Sequence, residues 1–576
     1  MKGKISMKYN ILLHTPVKIY NVLDIEGLHY SAEIHIQEAE ITISCIRKTN
    51  GIYKIFELTA QSMNPAKCYI SVHGVGEGEL YSFAGKSEQE QILRQSPHNY
   101  MNYQYKMDKS AIPSVAVVTE EGCDIWVSDN PAHCDNYTTQ HIIPQNNEFF
   151  LSSGDNGGSP NFEGDEFLPY YHSIDKDIKH TFKVAMCKTK SDNQKAINRD
   201  MFVLINSVFG NNDNSVYHAM CFGANYMHYR RNEEGSSDYW IVAGIQYANS
   251  QYIRDSFYQT MILPYEMEQQ CYNAYACRKD YEKISGAENP LFLIIWSYRI
   301  YKRGGQYKKE LLDTMVKKMF MNIDKYGNGG YCADCREDGT FRNWFDICAY
   351  EFDDIDAYSQ GLCICALYIA KELGYDVGNR LVIALNAYLS LYNGKFMQMS
   401  AKKPYLALDC FIGPLLYYML FGKSFIPDYI ASNTYNFIIN SNAKTKYGIK
   451  IVSDVNGDYL PQEAYRAYNK ENKYMEAVKL GSYANGGSYH IYEMMFHIAA
   501  FLHHADGVVD NMTKRLFVDL DYDGATHEYT STISGFCSKA NQGWNAAIYS
   551  MWAELIERGV GDKTFFEDAE AKLRSL

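Results

Sequence analysis

The hydrophobic periodicity of this chain changes once, near Ser191, and that change limits what the sequence can fold into. Before it, apolar residues recur at every second position, as in a half-buried strand. After it, they recur at helical spacing. ITISCIRKTNGIYKIFEL reads as two alternating runs across a Thr49-Asn50-Gly51 turn, a strong hairpin signal. SVAVVTEEGCDIWVSD repeats the pattern around Gly122, and TFKVAMCK alternates Phe182, Val184 and Met186. Strand after strand, separated by turn residues, predicts an antiparallel β-sandwich over residues 1–190. The Gly- and Asn-rich stretch 152–167 reads either as a surface loop or as a lid over a neighbouring site.

SDNQKAINRDMFVLINSVFG predicts a linker helix capped by Ser191 or Asp192, within a helical linker over 191–235. Residues 236–576 read as helical to the end. ENPLFLIIWSYRIYKR carries Pro290 in its first turn and is apolar almost all round, so burial on every side is expected. YKKELLDTMVKKMFMNIDKY is amphipathic, with Leu311, Leu312, Met315, Val316, Met319 and Phe320 on one face and lysines on the other. The alternation recurs: LCICALYIAKELG is inner-like, Asn379–Tyr392 outer-like, and SYHIYEMMFHIAAFLHH inner-like again. About twelve such segments suit helical hairpins stacked in a ring, short links on one face and long functional loops on the other. No repeat of fixed period accompanies them.

Composition narrows the function. A chain of 576 residues exceeds a single core. A net charge of −13 argues against nucleic acid or an anionic membrane surface as partner. The 50 tyrosines reflect nucleotide bias and core packing, or else a carbohydrate-facing surface. Fifteen cysteines without a framework spacing point to reduced thiols and a cytoplasmic setting. Cys332 and Cys335 form a C-x-x-C with no second pair at zinc-ribbon spacing, so no metal is expected. The N-terminal stretch does not read as a signal peptide, and runs such as FIGPLLYYMLF are too short to span a membrane.

Two acidic, aromatic stretches carry the chemistry. Phe341 to Gly361 contains Trp344, Asp346, Glu351, Asp353, Asp354 and Asp356, and runs straight into an apolar helix. Near the C-terminus, HEYTSTISGFCSKANQGWNAAIYSMW holds His527, Glu528 and Trp544. Aromatic rings stack on sugar faces and a carboxyl beside them can be tuned as an acid. Two further loops add Trp240, Tyr247, Arg254 and Asp255, then Tyr483 and Asn485 in LGSYANGGSYHIYEMM. Arg254 and Asp255 read equally as sugar-hydroxyl ligands or as a structural ion pair in a first turn. Asp356 reads also as a helix N-cap, Asp353 and Asp354 as solvated first-turn charges, and Trp544 as core.

The order and character of these loops resemble the six-hairpin glycosidases, nearest to glycoside hydrolase family 63 and its trehalase-like relatives. NWFDICAYEFDDIDAYSQGLCICAL, GSYANGGSYHIYEMM and HEYTSTISG…NQGWNAAIY carry the resemblance, which covers about residues 240–560. The family's Glu-Ser-Gly lead into the acid loop is replaced by Phe341-Arg342-Asn343, which leaves Asp353, Asp354 and Asp356 as alternatives to Asp346.

The resemblance implies a β-sandwich followed by an (α/α)6 toroid, no cofactor, and hydrolysis of an oligosaccharide or small glycoside with inversion. Asp346 would be general acid and Glu528 general base, with Glu493 the rival base. Trp240, Tyr247, Trp344, Tyr483 and Trp544 would surround the sugar, and Arg254, Asp255, Asp353, Asp354 and Asn485 would supply polar contacts. An inverting phosphorylase, with His527 as an anion ligand, a polysaccharide lyase and a non-catalytic carbohydrate-binding protein of the same fold remain alternatives.

Overall fold

The structure, a computed structural model, describes residues 8–24, 32–76, 78–82, 85–86, 114–128, 137–143, 146–153, 171–209, 227–231, 237–241, 252–262, 265–276, 287–326, 329–332, 354–465, 478–524, 526–540 and 543–576. The first part is two antiparallel sheets. One runs, in spatial order, Tyr137–Ile143, Asn146–Ser152, Ala66–Gly76, Lys8–His14 and Ile19–Asp24, with His172–Ile174 also paired to Ala66–Gly76. The other runs Ala32–Ile36, Ile41–Asn50, Tyr53–Ser62, His180–Thr189, Gly122–Ser128, Ser114–Thr119, Glu79–Ser82 and Gly85–Lys86. The expected hairpin forms with Asn50 opposite Tyr53. Its loop is Gly51-Ile52, one residue later than the sequence suggested, because Gly51 takes the positive φ of 60° that a primed turn needs.

The central strands of the second sheet, Gly122–Ser128 and His180–Thr189, are buried on both faces. Phe182, Val184 and Met186 point into the sandwich core with Trp126, Val115 and Val117. The alternate residues Ala185, Cys187, Ile125 and Val127 point the other way. They meet the helix α1, Gln194–Val208, through Ile197, Met201 and Ile205. Period 2 thus puts one strand set into two cores, which is why these strands read as nearly continuous apolar runs. The cap of α1 is Asn193, whose side chain accepts from Ala196 N at 3.1 Å. Ser191, expected at that place, instead donates to Asp200 at 2.6 Å.

Twelve more helices follow among the described residues: α2 Ile253–Thr260, α3 Tyr265–Ala276, α4 Glu288–Lys302, α5 Lys309–Met321, α6 Ala357–Glu372 and α7 Arg380–Ser390. The second half holds α8 Ile412–Phe421, α9 Asp428–Asn440, α10 His490–Leu502, α11 Val508–Asp523, α12 Ala546–Glu557 and α13 Thr564–Ser575. The even-numbered helices pack each on the next, α2 on α4, α4 on α6, α6 on α8, α8 on α10, α10 on α12, and α12 back on α2. Odd-numbered helices lie outside this cycle, α5 on α4, α7 on α6, α9 and α11 on α10, and α13 on α11 and α1. Burial follows: α6 is buried at every position from Ala357 to Leu367, and α10 from His490 to Ala500. In α5 only Leu311, Leu312, Met315, Val316 and Met319 are buried; Phe320, expected with them, is partly covered by the Arg380 guanidinium 4.3 Å from its ring.

Even-to-odd links are short (303–308, 373–379, 422–427, 503–507, 558–563), while odd-to-even returns are long (322–356, 391–411, 441–489, 524–545). The long returns therefore all arrive at the N-terminal ends of the inner helices. Among the described residues no helix is long and apolar enough to cross a membrane.

Candidate active site

Residues at or just before the starts of four inner helices, α2, α4, α6 and α10, and one from the turn before α12, meet in a buried cluster. Arg254 of α2 donates to Glu288 of α4 at 2.8 Å and stands 3.0 Å from Asp255. Tyr358 of α6 donates to the other Glu288 oxygen at 2.8 Å. Tyr492 of α10 stands edge-on to Trp544, in the turn before α12, with centroids 5.6 Å apart, and near-perpendicular to Tyr358 at 6.5 Å. The Arg254 guanidinium lies over Trp544 at 5.2 Å. Asp409, in the turn that leads into α8, bears electrostatically on Asp356 and Tyr258.

The electrostatics are those of a buried cluster of interacting charges. Burial pushes Asp255 up to about 6, opposed by Arg254 and reinforced by the Glu528 charge. Burial pushes Asp356 up to about 8, and Asp409 and Asp354 add to this. Glu288, Asp255 and Tyr492 hold Arg254 firmly protonated against its burial. Burial, with Tyr483, Glu528 and Tyr529 adding, raises the Tyr489 hydroxyl. The indole N–H of Trp544 and the hydroxyl of Tyr258 are buried and make no hydrogen bond to any described residue.

Glu528 is not on a loop. It lies in the strand His527–Thr530, between Ser488–Tyr489 and Cys537–Ala540 in a three-stranded sheet, and is 2 % exposed. Strand alternation sends Glu528 toward Asp255 and His527 to the opposite face. There His527 stands 3.0 Å from Asp523 and 3.8 Å from Asp519. Burial alone would lower its pKa, but these two carboxylates raise it well above the ordinary histidine range. His527 is therefore no anion ligand of the Glu528 pocket.

Behind that strand is a second, fully buried network. Asp519 accepts from Arg515 at 2.8 Å and from Thr530 at 3.0 Å, and its other oxygen pairs with His490 Nδ1 at 2.7 Å. His490 Nε2 accepts from the Tyr549 hydroxyl at 2.7 Å. Burial keeps His490 neutral, with Nδ1–H donating to Asp519. Asp519, His527 and Cys537 bring ligand atoms within 4.8 Å of one another, a metal-like grouping among the described residues. Arg515 already holds Asp519 there, so a cation would have to stand against a guanidinium.

The sequence-derived residues divide clearly. Arg254, Asp255, Glu528 and Trp544 come together, and Tyr483 joins their edge, 5.3 Å from the Tyr489 ring and 5.7 Å from that of Tyr529. Asn485 is buried, donating to the Leu460 and Val478 carbonyls while Tyr465 donates to its oxygen. Asp354, expected to be solvated, is fully buried and pins the loop at 400, accepting from Ser400 Oγ at 2.6 Å and Lys402 N at 3.1 Å. Asp356 is the N-cap of α6, accepting from Ser359 N at 2.7 Å. Glu493 is held by Ile449 N at 2.8 Å, Ser488 Oγ at 2.6 Å and Arg515 at 3.3 Å, and His497, Arg515 and Ser488 hold its pKa down against its burial. Trp240 is placed only by its backbone, opposite His228 in the strand Ser237–Ile241. Tyr247, Trp344, Asp346, Asp353 and Cys335 lie outside the described residues.

Glu288, Tyr358, Tyr489 and Tyr492 were missed by sequence reasoning. Their signal is the same in all of them, a polar atom in or just before the first turn of an otherwise apolar helix.

No protein-family model matches the chain, and no curated protein does. Among solved structures it is similar to a GH63 mannosylglycerate hydrolase from Thermus thermophilus in complex with Tris and D-glycerate, at 11% identity and a TM-score of 0.37, over 54% of this chain and 95% of that one. An uncharacterized conserved protein from the same organism gives 12% identity and a TM-score of 0.37 over the same shares. A bacterial glucoamylase complexed with acarbose gives 11% identity and a TM-score of 0.35, over 98% of this chain and 90% of that one.

Proposed function

We propose that this chain is an inverting glycoside hydrolase acting on an oligosaccharide or small glycoside, with the inner-helix cycle as the ring of an (α/α)6 toroid. The observation that carries this reading is the meeting of Glu528, Asp255 and Trp544 with buried tyrosines at the N-terminal ends of the inner helices. Glu528 would take a proton from water as that water attacks the anomeric carbon. Asp346 would protonate the leaving oxygen from the opposite side of the sugar, at a carboxyl separation of roughly 6.5–9.5 Å that leaves room for the water. Asp255 would accept from sugar hydroxyls, while Arg254, already bound to Asp255 and Glu288, positions that carboxylate and the Trp544 ring. Glu493 is withdrawn as base, since its oxygens are committed to Arg515, Ser488 and Ile449.

The test is turnover of α- and β-linked aryl glycosides and disaccharides, with and without phosphate, reading the first-formed anomer by NMR. Inversion is expected, with Asp346→Asn and Glu528→Gln each about a hundredfold or more slower while still folded. Turnover that requires phosphate makes the enzyme a phosphorylase. Glu528→Gln at wild-type rate removes the base assignment, and binding without turnover by the intact protein makes it a carbohydrate-binding protein.

A further inference from the structure

A cavity of about 300 Å³ opens on the outer side of the ring, between the end of α9, the hairpin of Lys444–Thr445 with Gly448–Ile449, α10 and α11. That volume is at the lower end of the range for small-molecule sites, about 300–1,000 Å³. Three exposed lysines, Lys444, Lys446 and Lys514, stand around it, and none forms an ion pair among the described residues. Lys444 donates to Asn511 at 3.0 Å, which orients it along the rim.

The floor is built rather than incidental. His497 is 1% exposed and lines the cavity, and neither ring nitrogen makes a hydrogen bond to a described residue. Its Nε2 faces Glu493 one turn earlier at 3.7 Å, an ion-pair distance when the ring is protonated, while Nδ1 meets no described polar atom. Arg515, fully buried, also lines the floor, its charge taken up by Glu493 at 3.3 Å and Asp519 at 2.8 Å. The two acidic lining residues are already neutralised: Glu493 by Arg515 at 3.3 Å, Asp521 by Lys572 at 2.5 Å. Ile439, Ile449 and Phe517 supply an apolar wall. The cavity therefore presents uncompensated positive charge, a buried imidazole and one apolar side.

We propose that this cavity is an accessory binding site for a small phosphorylated molecule, the phosphate held by Lys446, Lys514 and His497 and the organic body lying on the apolar wall. Lysine ammonium groups bind phosphate as point charges, and hydrogen bonds to charged groups are the strong ones. The site is distinct from the Glu528 pocket, yet its floor touches the strand that carries Glu528: Arg515 stands 3.3 Å from Thr530 Oγ1 and 3.4 Å from the Ser488 carbonyl.

Calorimetric titration of the full chain with glycerol phosphate and with inorganic phosphate tests the assignment, with glycerol and glycerate as controls. Both phosphates are expected to bind at millimolar concentration or tighter and glycerol not at all. Lys446→Ala/Lys514→Ala is expected to weaken both by at least about tenfold, with an unchanged melting temperature in the absence of ligand. His497→Gln, with its own melting temperature as the check on folding, should weaken them as well. Phosphate binding that survives the double lysine variant but is lost in Glu528→Gln overturns the proposal. So does failure of either phosphate to bind, or tighter binding of glycerate than of glycerol phosphate.

Discussion

Arg254 and Glu288 are joined at 2.8 Å across the N-terminal ends of two consecutive inner helices, α2 and α4. The same guanidinium stands 3.0 Å from Asp255 and covers Trp544, so one side chain ties three elements of the candidate site. Arg254→Met leaves two buried carboxylates uncompensated, a change that costs about 3–5 kcal/mol. Arg254→Lys recovers only part of this, because an ammonium cannot address both carboxylates and lie flat on an indole. Urea unfolding of both variants measures the effect. A loss below about 1 kcal/mol for the Met variant would mean that the pair is solvent-screened rather than buried.

A second joint of the ring includes a contact of backbone on backbone. A methyl group on Gly413 of α8 would stand 2.0 Å from the Gly361 carbonyl carbon and 2.3 Å from its oxygen, so α6 and α8 touch backbone to backbone. Helix propensity favours Gly413→Ala by about 1 kcal/mol, but overpacking against rigid backbone costs about 1–3 kcal/mol or more. Net destabilisation is expected, visible as a lower melting temperature. A variant as stable as the parent would show that the two helices can separate without loss.

The β-sandwich carries its own pH sensitivity. His14 stacks on Tyr69 at 4.1 Å and meets Ser71 Oγ at 2.8 Å; His180 stacks on His172 at 3.7 Å and meets Ser153 Oγ at 2.7 Å. Burial lowers each from 6.5 to about 3, with His73 adding for His14 and His172 for His180. The folded pKa lies below the unfolded one, so the unfolded chain binds more protons between those values. Stability is therefore full above about pH 6.5 and falls as pH drops toward 3. Melting temperatures from pH 7 to pH 4 should decline steeply in the parent and less in His14→Gln/His180→Gln. Equal slopes would place the acid sensitivity elsewhere.

Much of this organisation is legible in the sequence because it depends on local periodicity. Phe182, Val184 and Met186 alternate and share one core; α6 and α10 are apolar all round and lie inside the ring. What escaped depends on partners distant in the chain. Asp354, like Asp353, reads as a solvated first-turn acid, and a hydroxyl at Ser400 with amides at Ile355 and Lys402 makes its burial tolerable. Glu288 reads as an ordinary acidic first-turn residue, and its importance comes from Arg254 and Tyr358, 34 and 70 residues away. Glu493 and Glu528 are alike in the sequence; the Arg515 guanidinium beside one and the Asp255 carboxylate near the other separate them.

Asp356 is a helix N-cap whose second oxygen finds no described partner, and burial raises it from 3.8 to about 8. The folded pKa lies above the unfolded one, so the folded state holds its proton more tightly between those values. The stability tied to the neutral acid is whole below pH 3.8 and is lost as pH rises through about 8. Asparagine caps a helix as well as aspartate and carries no proton to lose. Asp356→Asn should therefore match the parent near pH 4 and exceed it in melting temperature at pH 8. The same variant separates capping from catalysis. If Asp356 only caps α6, glycoside turnover survives in Asp356→Asn and is lost in Asp346→Asn. If turnover is lost in Asp356→Asn while the protein is more stable at pH 8, the proton on Asp356 is the one delivered to the leaving group, and the acid assignment moves from Asp346 to the cap.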